Sequence, residues 1–166
     1  MHIVPGTILI SAPSLDDPNF IKAVILVTEY NQQGAIGFVL NEPFNRKLNE
    51  LVEFQQSKSF DLYNGGPMEK EKLFVLHRRP AMIEQSDLVA DGVYTGGDFK
   101  LVLAYINQHA HAEKDIKLLL GYCGWDAGQL EEEIEEGSWL IVQVPLSFVF
   151  EESAGMLWEK LYNHTL

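Results

Sequence analysis

Residues 116–133 constrain this fold more than any other stretch. An apolar run, Ile116 to Leu120, leads into Gly121-Tyr122-Cys123-Gly124-Trp125-Asp126-Ala127-Gly128-Gln129-Leu130 and then three glutamates. A strand this apolar needs cover on both faces, which places it in the middle of a sheet. The glycines permit tight turning, and the spacing of Leu130 and Ile134 is helical. The stretch therefore predicts a central strand, Ile116 to Tyr122, turning into a helix from about Ala127 to Glu136. Asp126 is expected to cap that helix, with Gln129 completing a weak capping box and Gly137 ending it. The first turn of a helix leaves N–H groups unpaired and carries partial positive charge. The only cysteine of the chain, Cys123, falls in this turn.

The remaining segments predict more strands than helices. Thr7 to Ser11 reads as a strand. Ala23 to Tyr30 and Ala35 to Leu40 flank Asn31-Gln32-Gln33-Gly34 and form the clearest hairpin. Leu48 to Phe54 suggests a short helix, Phe60 to Tyr63 and Leu73 to Leu76 strands, and Asp87 to Val89 with Gly92 to Tyr94 two more. A helix from Asp98 to about Ala112 buries Phe99, Val102, Leu103, Ile106 and Ala110 at the i, i+3, i+4, i+7 spacing. Trp139 to Val144 is a strand, and Gly155 to Tyr162 a last helix. With 166 residues, one domain over 1–166 is expected, in the α+β class.

Charge narrows the partners. The formal net charge is −12, and residues 126–166 carry nine acids against one base, Lys160, or −8 of it. Such a field repels phosphate backbones, so direct nucleic-acid binding is not expected. No segment approaches the roughly 18 apolar residues of a membrane span. A single cysteine and no basic-flanked leader fit a cytoplasmic protein. No pair of histidines has metal-ligand spacing, so neither a metal nor a cofactor is expected.

Each candidate site has a structural alternative. Cys123 could be a thiol activated at a helix N-terminus, or a small half-buried residue filling the turn. His77, followed by Arg78 and Arg79, could form a basic wall that holds a carboxylate or phosphate. It could equally be a histidine held by a backbone carbonyl beside arginines that answer nearby acids. Asn64-Gly65-Gly66-Pro67 could be an anion nest or a tight turn, and Thr95-Gly96-Gly97-Asp98 a helix cap. The glutamates at 131–133, 135 and 136 read as a solvated face.

Taken in order, several short motifs resemble the YqgE/AlgH family. They are Gly6 to Ala12 with Pro13 and Leu15, Asp17 to Phe20, Gly34-Ala35 with Gly37, and Asn41 with Pro43. Gly65-Gly66-Pro67, Leu76-His77, Gly121-Tyr122, Gly124-Trp125, Gly128-Gln129-Leu130-Glu131 and Trp139 complete the set. The resemblance implies an α+β fold, a mixed branched β-sheet with a small partly closed barrel surrounded by helices. It also implies a cytosolic bacterial protein, with one branch of the family tied to transcriptional regulation. Relatives commonly carry alanine or serine at the position of Cys123.

These observations point to a non-catalytic regulatory or binding module. Its cleft would be lined by Asn41, Gly65, Gly66, Pro67, His77, Arg78, Gly124, Trp125 and Gln129. The expected partner is a small anionic ligand or a protein. The alternative is a small hydrolase or transferase that uses His77 with Cys123, which requires the two side chains to meet.

Overall fold

The computed structural model describes residues 2–151 and 154–166, so Glu152, one of the nine C-terminal acids, lies outside the described residues. Ten strands form one sheet: β1 (Ile8–Ser11), β2 (Val24–Asn31), β3 (Gly34–Val39), β4 (Pro43–Lys47), β5 (Asp61–Asn64), β6 (Met68–His77), β7 (Ser86–Ala90), β8 (Val93–Gly96), β9 (Ile116–Asp126) and β10 (Trp139–Val142). The helices are α1 (Phe99–Gln108), α2 (Gln129–Glu135), α3 (Phe148–Glu151) and α4 (Leu157–His164). Along its main path the sheet runs β10-β1-β2-β3-β9-β6-β8-β7, and β4 and β5 branch from it.

The branch lies on β9. Its C-terminal half pairs antiparallel with β3, from Gly37↔Cys123 to Gly34↔Asp126. Its N-terminal half pairs parallel with β5 on that side, from Leu62↔Leu118 to Asn64↔Leu120. Antiparallel β6 occupies the other side. The mixed sheet curls into a half-barrel with a few helices around it, as the resemblance implies.

Strand alternation separates the cores. Val24 and Leu26 of β2 pack with α3 and α4, whereas Ile25 and Val27 face Trp125, Leu130 and Trp139 beside α2. Along β9, Ile116, Leu118 and Leu120 join the core under α1, and Leu119 points into the α3–α4 core. The Asp98 carboxylate accepts from the Lys100 N–H and caps α1, and Val102, Tyr105 and Ile106 are its buried face. Leu157, Trp158 and Leu161 dock α4, and the Trp158 indole N–H donates to the Ser11 carbonyl. No helix among the described residues is long and apolar enough to cross a membrane.

Several boundaries depart from the sequence expectation. Strand β9 continues through Cys123 to Asp126, because β3 offers it a partner there. The corner into α2 therefore falls at Ala127-Gly128. Gly128 supplies a left-handed N-cap, so Asp126 does not cap the helix; its N–H instead donates to the Gln129 side-chain oxygen. Leu48–Glu50 and Val52–Phe54 are two 3-10 turns split by an extended Leu51. Leu48, Leu51 and Phe54 share a core at a three-residue spacing, which is the 3-10 period. Helix α1 stops at Gln108, and Ala112–Lys114 is a separate 3-10 turn. Strand β6 starts at Met68, where Tyr122 pairs with it, and α3 has no counterpart in the sequence reading.

A backbone crossing makes the branch possible. The Gly65 N–H donates to the Leu120 carbonyl at 2.7 Å, and the Gly65 carbonyl accepts from Val39 N–H. A Cβ at Gly121, where φ is +76°, would lie 2.3 Å from the Gly66 oxygen; one at Gly66 would lie 2.3 Å from the Tyr122 backbone. Only glycine lets the two chains approach this closely. Gly121→Ala should cost roughly 3 kcal/mol or more, combining overpacking with left-handed strain. Gly92→Ala is the control: its φ is +79° and nothing lies within 4 Å of the added Cβ. It should cost about 1–2 kcal/mol from backbone strain alone. Urea unfolding of both variants measures the difference, and equal losses would show that the crossing is not the constraint.

Candidate functional site

The structure distributes the expected cleft residues over separate places. Pro67, Gly124, Trp125 and Gln129 do converge, with Cys123, on a groove of about 370 Å³ beside Phe20 and Trp139. The side chains there are tied to one another. The Glu133 Oε1 accepts from the indole N–H of Trp125 at 3.0 Å and of Trp139 at 2.9 Å, and its Oε2 accepts from the Gln129 amide. Glu131 accepts from the Tyr30 hydroxyl. The acidic helix face expected to be merely solvated thus anchors α2 to β2, β9 and β10.

Asn41 is a clasp outside that groove. Its side chain accepts from Val24 N–H and donates to the Lys22 carbonyl, holding the end of β3 against the start of β2. Gly65 and Gly66 stand at the backbone crossing, where the Gly65 N–H is already taken by Leu120. Cys123 sits in β9 rather than at a helix N-terminus. It is 1% exposed, its thiol points to the Gly65 carbonyl at 3.5 Å, and burial pushes its pKa up to about 12.

His77 is at the other end of β9. It pairs with Ile116, whereas Cys123 pairs with Gly37. At about 3.3 Å per residue the two lie on the order of 20 Å apart along the sheet, so they do not meet. His77 is buried; its Nδ1 accepts from the Arg79 N–H at 3.1 Å and its ring stacks on Tyr94. Burial lowers its pKa, with the Gly96 backbone opposing, although Nε2 closes no well-formed hydrogen bond.

Arg78 and Arg79 converge on Asp115. The Asp115 Oδ1 accepts from Arg78 Nε and forms an ion pair with Arg79 Nη2, each at 3.1 Å, and its Oδ2 accepts from the Tyr105 hydroxyl. Burial alone would raise the Asp115 pKa; these hydrogen bonds and the two guanidinium charges outweigh it and hold the carboxyl below its usual range. Arg78 Nη1 also reaches Glu151 at 3.0 Å, and the guanidinium lies over the Phe150 ring.

Arg78 forms part of the wall of a larger cavity, about 630 Å³, between β5, β9 and α3. The chemistry in this cavity comes from Lys117, which the sequence reading passed over. Lys117 is 7% exposed, and its Nζ stands 4.0 Å from the centroid of the Tyr63 ring. No carboxylate among the described residues pairs with it. Asp61 pairs with Lys47, and Glu151 with Arg78. Burial pushes the Lys117 pKa down to about 8, with Asp61 opposing. A signal was available in the sequence: one cation inside the apolar run of the central strand, in register with Leu76.

Both buried groups have measurable consequences. Alkylation of Cys123 at pH 8 should be roughly a thousandfold slower in the folded chain than in urea, since the thiolate is scarce and enclosed. Equal rates would place the thiol in an open, activated turn. Lys117 has a folded pKa of about 8 against 10.5 when unfolded, so across that window the unfolded chain binds the extra proton and stability rises with pH. Lys117→Met should therefore stabilise the protein at pH 7 by about 1–3 kcal/mol. The gain should shrink between about pH 8 and 10.5. Denaturant midpoints measured along a pH series check the sign, and a gain that grows with pH would refute it.

Similarity to known proteins agrees with this architecture. The AlgH-like family model (DUF179) matches residues 8–165. The UPF0301 protein CT0663 of Chlorobaculum tepidum is 36% identical over 156 residues, covering 94% of this chain and 83% of that protein. The solution structure of AlgH from Pseudomonas aeruginosa superposes with a TM-score of 0.74 at 29% identity, covering 97% of this chain and 86% of that one. The crystal structure of DIP2367 from Corynebacterium diphtheriae shares the fold, with a TM-score of 0.77 at 21% identity over 99% of this chain and 88% of its own. A match across nearly the whole length makes this chain a member of the AlgH-like family.

Proposed function

We propose that this protein is a non-catalytic binding module for a small anionic ligand, seated in the cavity between β5, β9 and α3. The observation that carries the reading is Lys117, a buried ammonium at a cavity where no carboxylate of the described residues forms an ion pair with it: Asp61 pairs with Lys47 and Glu151 with Arg78. A buried charge is costly when unpaired, and an incoming anion supplies the missing partner. Arg78 supports the same reading. Asp115 and Glu151 hold its Nε and Nη1, while its Nη2 makes no hydrogen bond among the described residues. That leaves donors for a carboxylate or phosphate oxygen.

The reading moves the ligand away from the motif groove, where Trp125, Gln129 and Glu133 satisfy one another. The alternative of catalysis by His77 with Cys123 loses its support, because the two are far apart and each is enclosed. The acidic exterior opposes the binding reading little, since exposed charges beyond a Debye length are largely screened, and two acids at the cavity, Asp61 and Glu151, are held by Lys47 and Arg78.

Thermal unfolding with inorganic phosphate, acetate and succinate tests the proposal. At least one anion should raise the midpoint of the wild type, the unfolding free energy growing by about 2.7 kcal/mol once its concentration reaches 100 times the dissociation constant. The effect should vanish in Lys117→Met and weaken above about pH 8, where the Lys117 ammonium loses its proton. Equal stabilisation of wild type and variant, or none by any of the three anions, would defeat it.

A further inference from the structure

We infer that Lys117 is a carbonyl-capturing residue, forming a reversible imine with a small aldehyde that carries a carboxylate or phosphate. The inference deepens the binding reading by giving the ligand a second functional group, and it rests on the same cavity.

Three observations carry it. The amine ends in a cavity large enough for a small molecule, against the face of Tyr63 and beside Phe150. No carboxylate among the described residues forms an ion pair with it, Asp61 acting only from a distance. Other lysines are placed differently: Lys22, Lys47 and Lys72 are exposed and each pairs with a carboxylate, Glu159, Asp61 and Glu69 respectively. The charged and titratable groups around the cavity are Asp61 and Tyr63 on β5, Arg78 after β6, Glu113 and Lys114 on the 3-10 turn, and Glu151 on α3.

The chemistry balances without a co-reactant. The neutral Lys117 Nζ adds its lone pair to the carbonyl carbon, and the carbonyl π electrons move to oxygen, which takes a proton. The carbinolamine then loses that oxygen as water as the C=N bond forms. The amine supplies the two hydrogens of the departing water, and hydrolysis reverses the sequence. Only the neutral amine adds, and with a pKa of about 8 it is present at pH 7 as roughly one part in ten. For an ordinary lysine the fraction is about one in three thousand. Arg78 Nη2 is the donor for the anionic tail. A lone ammonium that only anchored an anion would gain from a high pKa, whereas burial of Lys117 against Tyr63 works against one.

Reductive trapping of the full chain tests the inference. The protein is treated with glyoxylate and cyanoborohydride, digested, and mapped by mass spectrometry, with propionaldehyde as a neutral carbonyl probe. Lys117 should be modified roughly tenfold or more faster than Lys22, Lys47 or Lys72 at pH 7, with a rate that climbs to about pH 8 and then levels. Lys117→Arg should abolish the fast phase, and added phosphate should slow it. The wild-type map is decisive without any variant: adducts spread over the exposed lysines with Lys117 unmodified overturn the inference. If phosphate stabilises the chain through Lys117 but neither aldehyde is trapped there, the covalent step fails and the binding reading stands. If propionaldehyde is trapped at Lys117 while no anion stabilises the chain, the covalent step stands and anion binding fails.

Discussion

The close approach of Gly66 to Gly121 underlies the rest of this structure. Strand β9 must serve β3, β5 and β6, yet a strand has only two edges for hydrogen bonding. It solves this by exchanging β5 for β3 partway along one edge, and the exchange requires the chain after β5 to cross β9 within contact distance of its backbone. Side chains at the crossing would fill that space, as the 2.3 Å clearances at Gly66 and Gly121 show. Bonds from Gly65 to Leu120 and from Val39 to Gly65 seal the junction, so the backbone groups there do not require water.

The branch also separates the chemistry. Cys123 lies on β9 beyond the crossing, and His77 lies on the neighbouring β6 beside the start of β9, so the two stand at opposite ends of β9. Each end has its own polar logic. At the C-terminal end, a single carboxylate, Glu133, satisfies two indoles and an amide. At the N-terminal end, Asp115 gathers Arg78, Arg79 and Tyr105. Both are buried or half-buried networks whose partners satisfy one another, as low-dielectric surroundings demand. Lys117 is the exception, with an aromatic face instead of a counter-ion.

Much of the architecture was legible in short-range pattern. The β2–β3 hairpin, the apolar central strand, the Asp98 cap and the docking face of α4 all follow from turn chemistry and periodicity, which depend on neighbours in sequence. Boundaries were less legible where pairing decided them. Nothing local says that β9 should extend past Gly121, because β3 supplies the reason. The 3-10 turns at 48–54 follow from the core that Leu48 and Phe54 share. The site was the least legible part: the motif residues drew attention, while Lys117 had no motif around it.

The sequence by itself determined the fold class, the order of most elements, the acidic surface and the family, because these rest on periodicity, composition and the order of short motifs. Only the tertiary structure decided what the 116–133 segment is. It is a strand that carries Cys123 into the interior and turns at Gly128, with Trp125, Gln129 and Glu133 locking the corner. It also decided that the arginines after His77 share Asp115 while Lys117 is left facing a cavity. The reason is physical: the properties of a charge depend on its partners and its burial, and both are set by strands that meet from distant parts of the chain.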